Sequence, residues 1–324
     1  MTTVLSIRDL HIGIKRRRHT DEIVRGVSLE VEAGEKVGIV GESGSGKTLT
    51  MLAVLRLLAS PPLSVVKGEV VLEGVDLATL DDKRLRAVRG GEIAMVYQDP
   101  MSSLNPLLRV GSQIEETLQA HGVTRDAAEA RTREVLLQVG LDDPERVRNS
   151  FPHQLSGGMI QRVMIAMALS TSPRVLIADE PTTALDVTIQ RQILELVTTL
   201  QAQTHMAVLW VTHDLGVVAS LVDRVVVMYA GRIVEMATTE RLFARPSHPY
   251  TKALLESLPG LHTPHRSPLH QIGGTPPDPT QLGAGCPFRF RCPYAIAKCA
   301  EEEPPLIDRG EGSLAACWRD PSEW

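Results

Sequence analysis

Val37-Gly-Ile-Val-Gly41-Glu-Ser-Gly-Ser-Gly-Lys47-Thr48 decides the fold. A short apolar run, Lys36–Val40, leads into Gly-x-x-x-x-Gly-Lys-Thr, and an apolar helical pattern over Thr48–Ala59 follows. Strand, glycine-rich turn and helix, in that order, are the context of a phosphate-binding P-loop. Gly41, Gly44 and Gly46, with Ser43 and Ser45 between them, let backbone N–H groups turn inward around phosphate oxygens. The helix N-terminus adds a partial positive charge. Lys47 is expected to neutralise the β- and γ-phosphates of a nucleotide, and the Thr48 hydroxyl to ligate Mg²⁺.

Working outward, short β-branched runs recur at Ile93–Tyr97, Val175–Asp179, Ala207–Thr212 and Arg224–Met228. Helical patterns, such as Ile189–Gln203, lie between several of them. Nearly continuous apolar strands alternating with helices predict an α/β fold with a parallel sheet core covered on both faces. Val24–Val31 and Glu69–Leu72 read as antiparallel β additions at its edge. Residues from about 100 to 172 carry mostly helical patterns, among them Val110–Ala120 and Arg125–Val139, and read as a helical insertion.

Val175–Asp179 ends in two carboxylates. Asp179, at the strand's carboxyl end, is expected to hold Mg²⁺ directly or through water, and Glu180 to polarise an attacking water. Leu155-Ser-Gly-Gly-Met159 opens a second glycine-led helix, Met159–Ser170. One nucleotide does not easily use two such helix starts from one domain. The economical solution is a head-to-tail dimer in which each chain closes the other's nucleotide.

With this motif the sequence resembles the ABC ATPase family over roughly residues 4–240. Gln98 matches the family's Q-loop, Ala184-Leu-Asp186 its D-loop and His213 its switch histidine. The resemblance implies a P-loop NTPase that hydrolyses ATP with Mg²⁺. It implies that Gln98 senses Mg²⁺ and the γ-phosphate, and that His213 contacts the γ-phosphate. It implies that Ser156, Gly157 and Gly158 bind the opposing subunit's ATP and that Asp186 crosses the dimer interface. Splitting the donors between two chains makes hydrolysis conditional on closure, which suits a reaction that needs positioning and charge stabilisation.

Many members of that family carry an aromatic residue upstream of the P-loop that stacks on adenine. No Phe, Tyr or Trp occurs here before Tyr97; the corresponding region reads Arg16-Arg-Arg-His-Thr20. His19 or Arg18 is the candidate for the adenine contact. The basic run Lys15–Arg18 reads either as a solvated loop or as a contact for phosphate or anionic lipid heads.

Gln98-Asp-Pro-Met-Ser-Ser-Leu-Asn-Pro106, the stretch Asp179–Gln190 and Ser247-His-Pro-Tyr-Thr-Lys-Ala-Leu-Leu255 resemble the ATPase subunits of dipeptide and oligopeptide importers. That resemblance implies an ATPase peripheral on the cytoplasmic face of the membrane. Its partners would be two permease subunits, an extracytoplasmic binding protein and, given Met101 and Met159, a paralogous ATPase in a heterodimer. ATPases for nickel and other small solutes look similar. A soluble ABC ATPase of DNA repair or of a metabolic complex is the alternative from another class. Repair members usually carry long insertions, whereas Leu155 follows Lys47 by only 108 positions with no long heptad run.

Residues 241–324 differ from 1–240. They hold 13 of the 21 prolines and seven of the eleven aromatic residues, so they read as a separate C-terminal region, with a loop expected over Pro259–Pro287. All four cysteines, Cys286, Cys292, Cys299 and Cys317, fall here. Clustered thiols in a reducing compartment suit a metal better than disulfides. Their spacing matches neither a zinc ribbon nor a ferredoxin run, and Zn²⁺, an Fe–S cluster and unmetallated thiols stay open on the residues alone. The peptide-importer resemblance implies a [4Fe–4S] cluster.

Composition narrows the rest. A net charge of −5 and pI near 6.1 argue against a dedicated nucleic-acid binder, and no nucleic acid is expected as partner. No 18-residue apolar window suggests a membrane span, and charge at Arg8 and Asp9 argues against a signal peptide.

Overall fold

The β-branched runs form strands in a computed structural model of the chain, which describes residues 2–17, 19–183, 185–258 and 272–324. Arg18 of the adenine contact, Ala184 of the D-loop motif and the 259–271 part of the expected loop lie outside the described residues. Two units emerge. The first comprises Met1–Leu5, Val31–Glu35 and Leu72–Trp210; the second comprises Ser6–Glu30, Lys36–Val71 and Val211–Trp324.

In the first unit, Ile93–Val96 and Val175–Asp179 run parallel, with Ile93 opposite Val175 and Val96 opposite Ala178. Every residue of Val175–Asp179 is buried, which is why the strand reads as a continuous apolar run. The expected helical insertion supplies the helices Val110–Ala120, Arg125–Gln138, Pro144–Asn149 and Gly157–Leu169. Val110, Ile114 and Leu118 are buried at helical spacing. Asp143 caps Pro144–Asn149 by accepting from Arg146 N at 3.0 Å, with proline at the first helical position. Arg148 ties this helix to its neighbours through Glu115 at 2.7 Å and Glu129 at 3.0 Å.

In the second unit, Lys36–Val40 pairs in parallel with Arg224–Tyr229, Val37 opposite Arg224 and Val40 opposite Val227. Arg224–Tyr229 then turns through Ala230 (φ 47°) and Gly231 (φ 81°) into the antiparallel strand Arg232–Thr238. Two positive-φ residues are what a two-residue hairpin of the favoured twist requires. Gly231 is constrained further: a Cβ there would lie 2.0 Å from the Ile23 carbonyl oxygen.

The C-terminal region adds to this sheet. Leu314–Ala315 pairs antiparallel with Arg232–Thr238, Glu235 opposite Ala315, and Ile307–Asp308 pairs with Leu314–Ala315. The strands expected as edge additions form instead a second sheet, in which Thr20–Glu32, Thr3–Lys15 and Leu63–Leu72 lie side by side in that order. The Thr3–Lys15 strand gives them a partner of their own, so they need no place on the parallel sheet. Among the described residues no helix is long and apolar enough to cross a membrane.

Candidate functional site

The phosphate loop lies in the second unit, between Lys36–Val40 and the helix Lys47–Val54. Gly41 has φ 152°, and a Cβ on it would lie 2.2 Å from the Met228 carbonyl oxygen, so the motif's first position admits glycine alone. Gly46 caps the helix in the left-handed region at φ 99°. Lys47 is buried, and its Nζ donates to the carbonyl oxygens of Gly41 at 2.7 Å and Glu42 at 3.1 Å. The ammonium is thereby held across the mouth of its own loop. Ser45 is 4% exposed, and its Oγ has no hydrogen-bond partner, which marks it as a group awaiting a ligand atom or a water.

Glu42 is anchored from the C-terminal region. Its backbone N–H donates to Tyr250 Oη at 2.8 Å, and its carboxylate takes both Arg291 Nη atoms, at 2.6 and 2.9 Å. Arg291 Nε donates to the Gly273 carbonyl at 2.9 Å, and Nη1 to Tyr229 Oη at 3.3 Å. A planar fork with opposed acceptors fixes geometry better than an ammonium does. Burial pushes the Tyr250 phenol up, so it stays protonated. His213, exposed in this unit, follows Ala207–Thr212, and the next residue, Asp214, caps Leu215–Leu221 through Gly216 N at 2.8 Å.

The carboxylates and the signature lie in the first unit. Asp179 is 3% exposed at the end of its strand. Glu180 follows with φ 46°, a left-handed conformation that is uncommon outside glycine and concentrates at functional positions. Its Oε2 accepts from Thr183 Oγ1 at 3.0 Å and from Gln98 Nε2 at 3.4 Å. The structure thus brings Gln98 and Glu180 together.

Ser156 opens Gly157–Leu169, its Oγ accepting from Met159 N at 3.4 Å, and Ser156 and Gly157 face solvent. Gly158 packs against Ile189: a Cβ would meet Ile189 Cγ2 at 3.0 Å. Asp186 caps Val187–Thr204 by accepting from Ile189 N at 2.9 Å. His19 is 63% exposed and pairs with Asp21 at 3.1 Å, so its ring is engaged on its own hairpin.

The four cysteines are free thiols, and all line one cavity together with Phe288, Tyr294 and Trp318. Burial pushes the Cys286 thiol up to about 12 and the Cys317 thiol up to about 11, and raises Cys292. At these three positions burial by itself favours the neutral thiol over the thiolate. Among the described residues no three His, Cys, Asp or Glu side chains are gathered as a site for a single metal ion.

Two family descriptions match the chain: "ABC transporter" over residues 24–183 and "Oligopeptide/dipeptide transporter, C-terminal region" over 234–299. A probable peptide ABC transporter ATP-binding protein of Sinorhizobium fredii is 50% identical over 98% of this chain and 95% of its own length. The chain belongs to the ABC transporter ATP-binding family. The oligopeptide transport ATP-binding protein OppD of Bacillus subtilis is 47% identical over 98% of this chain and 89% of its own. Among solved structures, a dimeric post-hydrolysis ATP-binding cassette bound to ADP and Pi is 29% identical, with TM-score 0.64 over 72% of this chain and 98% of that one. The chain is an ABC ATPase with a P-loop NTPase fold.

For an ABC ATPase, three groups here escaped sequence reasoning. Glu42 occupies a variable position of the P-loop motif. Tyr250 sits in a stretch that carried only resemblance, and Arg291 adjoins Cys292 without a motif of its own. The one sequence signal was that a buried-type residue, Tyr250, and an arginine lay in the region whose aromatic content had set it apart.

Proposed function

We propose that this chain is the ATP-hydrolysing subunit of an ABC importer for di- and oligopeptides, peripheral on the cytoplasmic face of the membrane. The observation that carries the reading is the co-occurrence in one chain of the phosphate loop and the oligopeptide/dipeptide transporter C-terminal region. Residues 1–240 are the ATPase and 241–324 the C-terminal region. Two permeases and a substrate-binding protein complete the importer, and a paralogous ATPase pairs with this chain.

The loop 41–48 wraps the phosphates, and Lys47 leaves the Gly41 and Glu42 carbonyls for phosphate oxygens of higher charge. Thr48 and Asp179 are oxygen donors suited to Mg²⁺, with Gln98 as a further one; the ion, when bound, neutralises charge on the phosphates. Glu180 orients and polarises water, and His213 contacts the γ-phosphate. Ser156, Gly157 and Gly158 present N–H groups to the ATP of the opposing subunit, and Asp186 sits at that interface.

The four cysteines hold a [4Fe–4S] cluster in this reading. What supports it is that four thiols, with Arg289 and Arg319, line one cavity. When bound, the cluster supplies cross-linking of the C-terminal fold. Zinc and unmetallated thiols are the alternatives. Anaerobic purification with visible absorption and metal analysis separates them: iron with a brown chromophore is expected, and colourless protein lacking iron overturns the cluster.

Co-purification from detergent-solubilised membranes tests the transport reading. Recovery with two polytopic subunits, and ATPase activity stimulated by a peptide-loaded binding protein, is expected. A chain recovered without polytopic partners, from cells in which they are expressed, overturns it.

A further inference from the structure

The absence of an aromatic residue before Tyr97 leaves the nucleoside half of ATP without its customary platform. His19, the candidate from the sequence, is turned to Asp21. A different surface stands beside the phosphate loop. A cavity of about 240 Å³ is lined by Glu42, Ser43, Gly44 and Ser45 of the loop, by Tyr229 and Ala230 at the strand end, and by Pro276, Pro277, Asp278 and Pro279. Ser45, whose buried Oγ lacks a partner, belongs to its wall.

The proline segment is held in place. Arg291 donates Nε to the Gly273 carbonyl at 2.9 Å while its two Nη atoms grip Glu42. One guanidinium therefore pins the start of this segment to the phosphate loop. Asp278 Oδ1 accepts from the Thr280 N–H at 2.9 Å and Oγ1 at 2.8 Å, so the turn is fixed. Arg16 lies within electrostatic reach of Asp278.

We infer that Pro276–Pro279 forms the wall against which the nucleoside of ATP rests, taking over the role of the missing aromatic. The rings of Pro276 and Pro277 offer rigid apolar faces to the purine at little entropic cost. Asp278, ionised, offers an acceptor for ribose hydroxyl protons. This specificity element comes from the C-terminal region rather than from the strand upstream of the P-loop. The inference rests on the nucleotide reading given above.

Binding of ATP and of inorganic tripolyphosphate to the full-length chain tests it, by calorimetry on wild type, Pro276→Gly/Pro277→Gly and Asp278→Ala. ATP is expected to weaken about tenfold in the variants, with tripolyphosphate unchanged within twofold. ATP affinity unchanged, or both ligands weakened in equal proportion, overturns the wall. Wild type binding neither ligand overturns the nucleotide reading itself. Hydrogen exchange on the wild type needs no variant to fold: the non-proline amides of 272–281, Asp278 among them, are expected to be protected by ATP beyond their protection by tripolyphosphate, and equal protection by the two overturns the inference.

Discussion

Arg291 and Glu42, 249 residues apart in sequence, form a bidentate ion pair with an arginine side chain only 4% exposed. The carboxylate belongs to the phosphate loop and the guanidinium to the cysteine-bearing region, next to Cys292. The phosphate loop and the C-terminal region are therefore tied together at this point.

Arg291→Met keeps the stem and removes the fork. It leaves Glu42 and the Gly273 carbonyl without their donors, a loss of roughly 2 kcal/mol for charge-assisted bonds of this kind. The expected outcome is a lower urea midpoint and ATP binding weakened about tenfold. A double-mutant cycle with Glu42→Gln, read by the same two measurements, checks that the two residues act as a pair. Additive effects would dissolve the pairing.

A second expectation concerns acidity in the core. Glu235 accepts from Ser247 N at 2.6 Å and His248 N at 2.9 Å, and burial pushes its carboxyl up to about 7 from an ordinary 4.5. A folded-state value above the unfolded one contributes stability that is complete below pH 4.5 and lost as pH rises through 7. Relative to Glu235→Gln, the wild type is expected to lose on the order of 3 kcal/mol between about pH 4.5 and pH 8. Taking the difference between the two proteins removes the opposite trend of His248, whose imidazole burial lowers to about 3. Urea unfolding of both proteins at the two pH values is the measurement, and a pH-independent difference would contradict it.

Gly285→Ala probes the cysteine fold without touching a thiol. Gly285 has φ 83°, and a Cβ there would lie 2.3 Å from the Cys299 carbonyl, which accepts from Cys286 N at 2.8 Å. The side chain must push Cys299 away from Cys286. With the cluster proposed above in the cavity, iron per chain and visible absorbance after anaerobic purification are expected to fall by more than half, while the helices of 110–169 keep their far-ultraviolet signal. Wild-type iron content would show that this contact does not support the cavity.

What the sequence revealed follows from range. Lys36–Val40, Val175–Asp179 and Ala207–Thr212 have the bounds expected of them, because strands buried along nearly their whole length write themselves as apolar, β-branched runs. The helix expected to reach Ala59 stops at Val54: Leu55 caps it and Arg56 turns to φ 51°. Thr3–Lys15 escaped notice because polar residues interrupt its apolar positions, and Leu314–Ala315 because two residues carry no periodicity. In the candidate site, motifs located Lys47, Asp179 and Glu180. The fork from Arg291 has no local signature, since its partner is fixed only by the fold.

Glu180→Gln is the most direct test of the chemistry. Glu180 holds φ 46° directly after a buried strand, and Oε2 is gripped by Thr183 and Gln98. A glutamine keeps the shape, and its amide oxygen still accepts from both donors, so the backbone strain and local packing persist. The negative charge is lost, and the second oxygen becomes an NH₂ donor. If that charge polarises the attacking water, turnover falls by about 10²–10⁴-fold while ATP affinity stays within a few-fold. Steady-state hydrolysis and equilibrium ATP binding, measured on the same preparation, distinguish this from misfolding, which lowers both. Hydrolysis near the wild-type rate would assign the base to another residue, and weakened binding with unchanged turnover would make Glu180 a binding group.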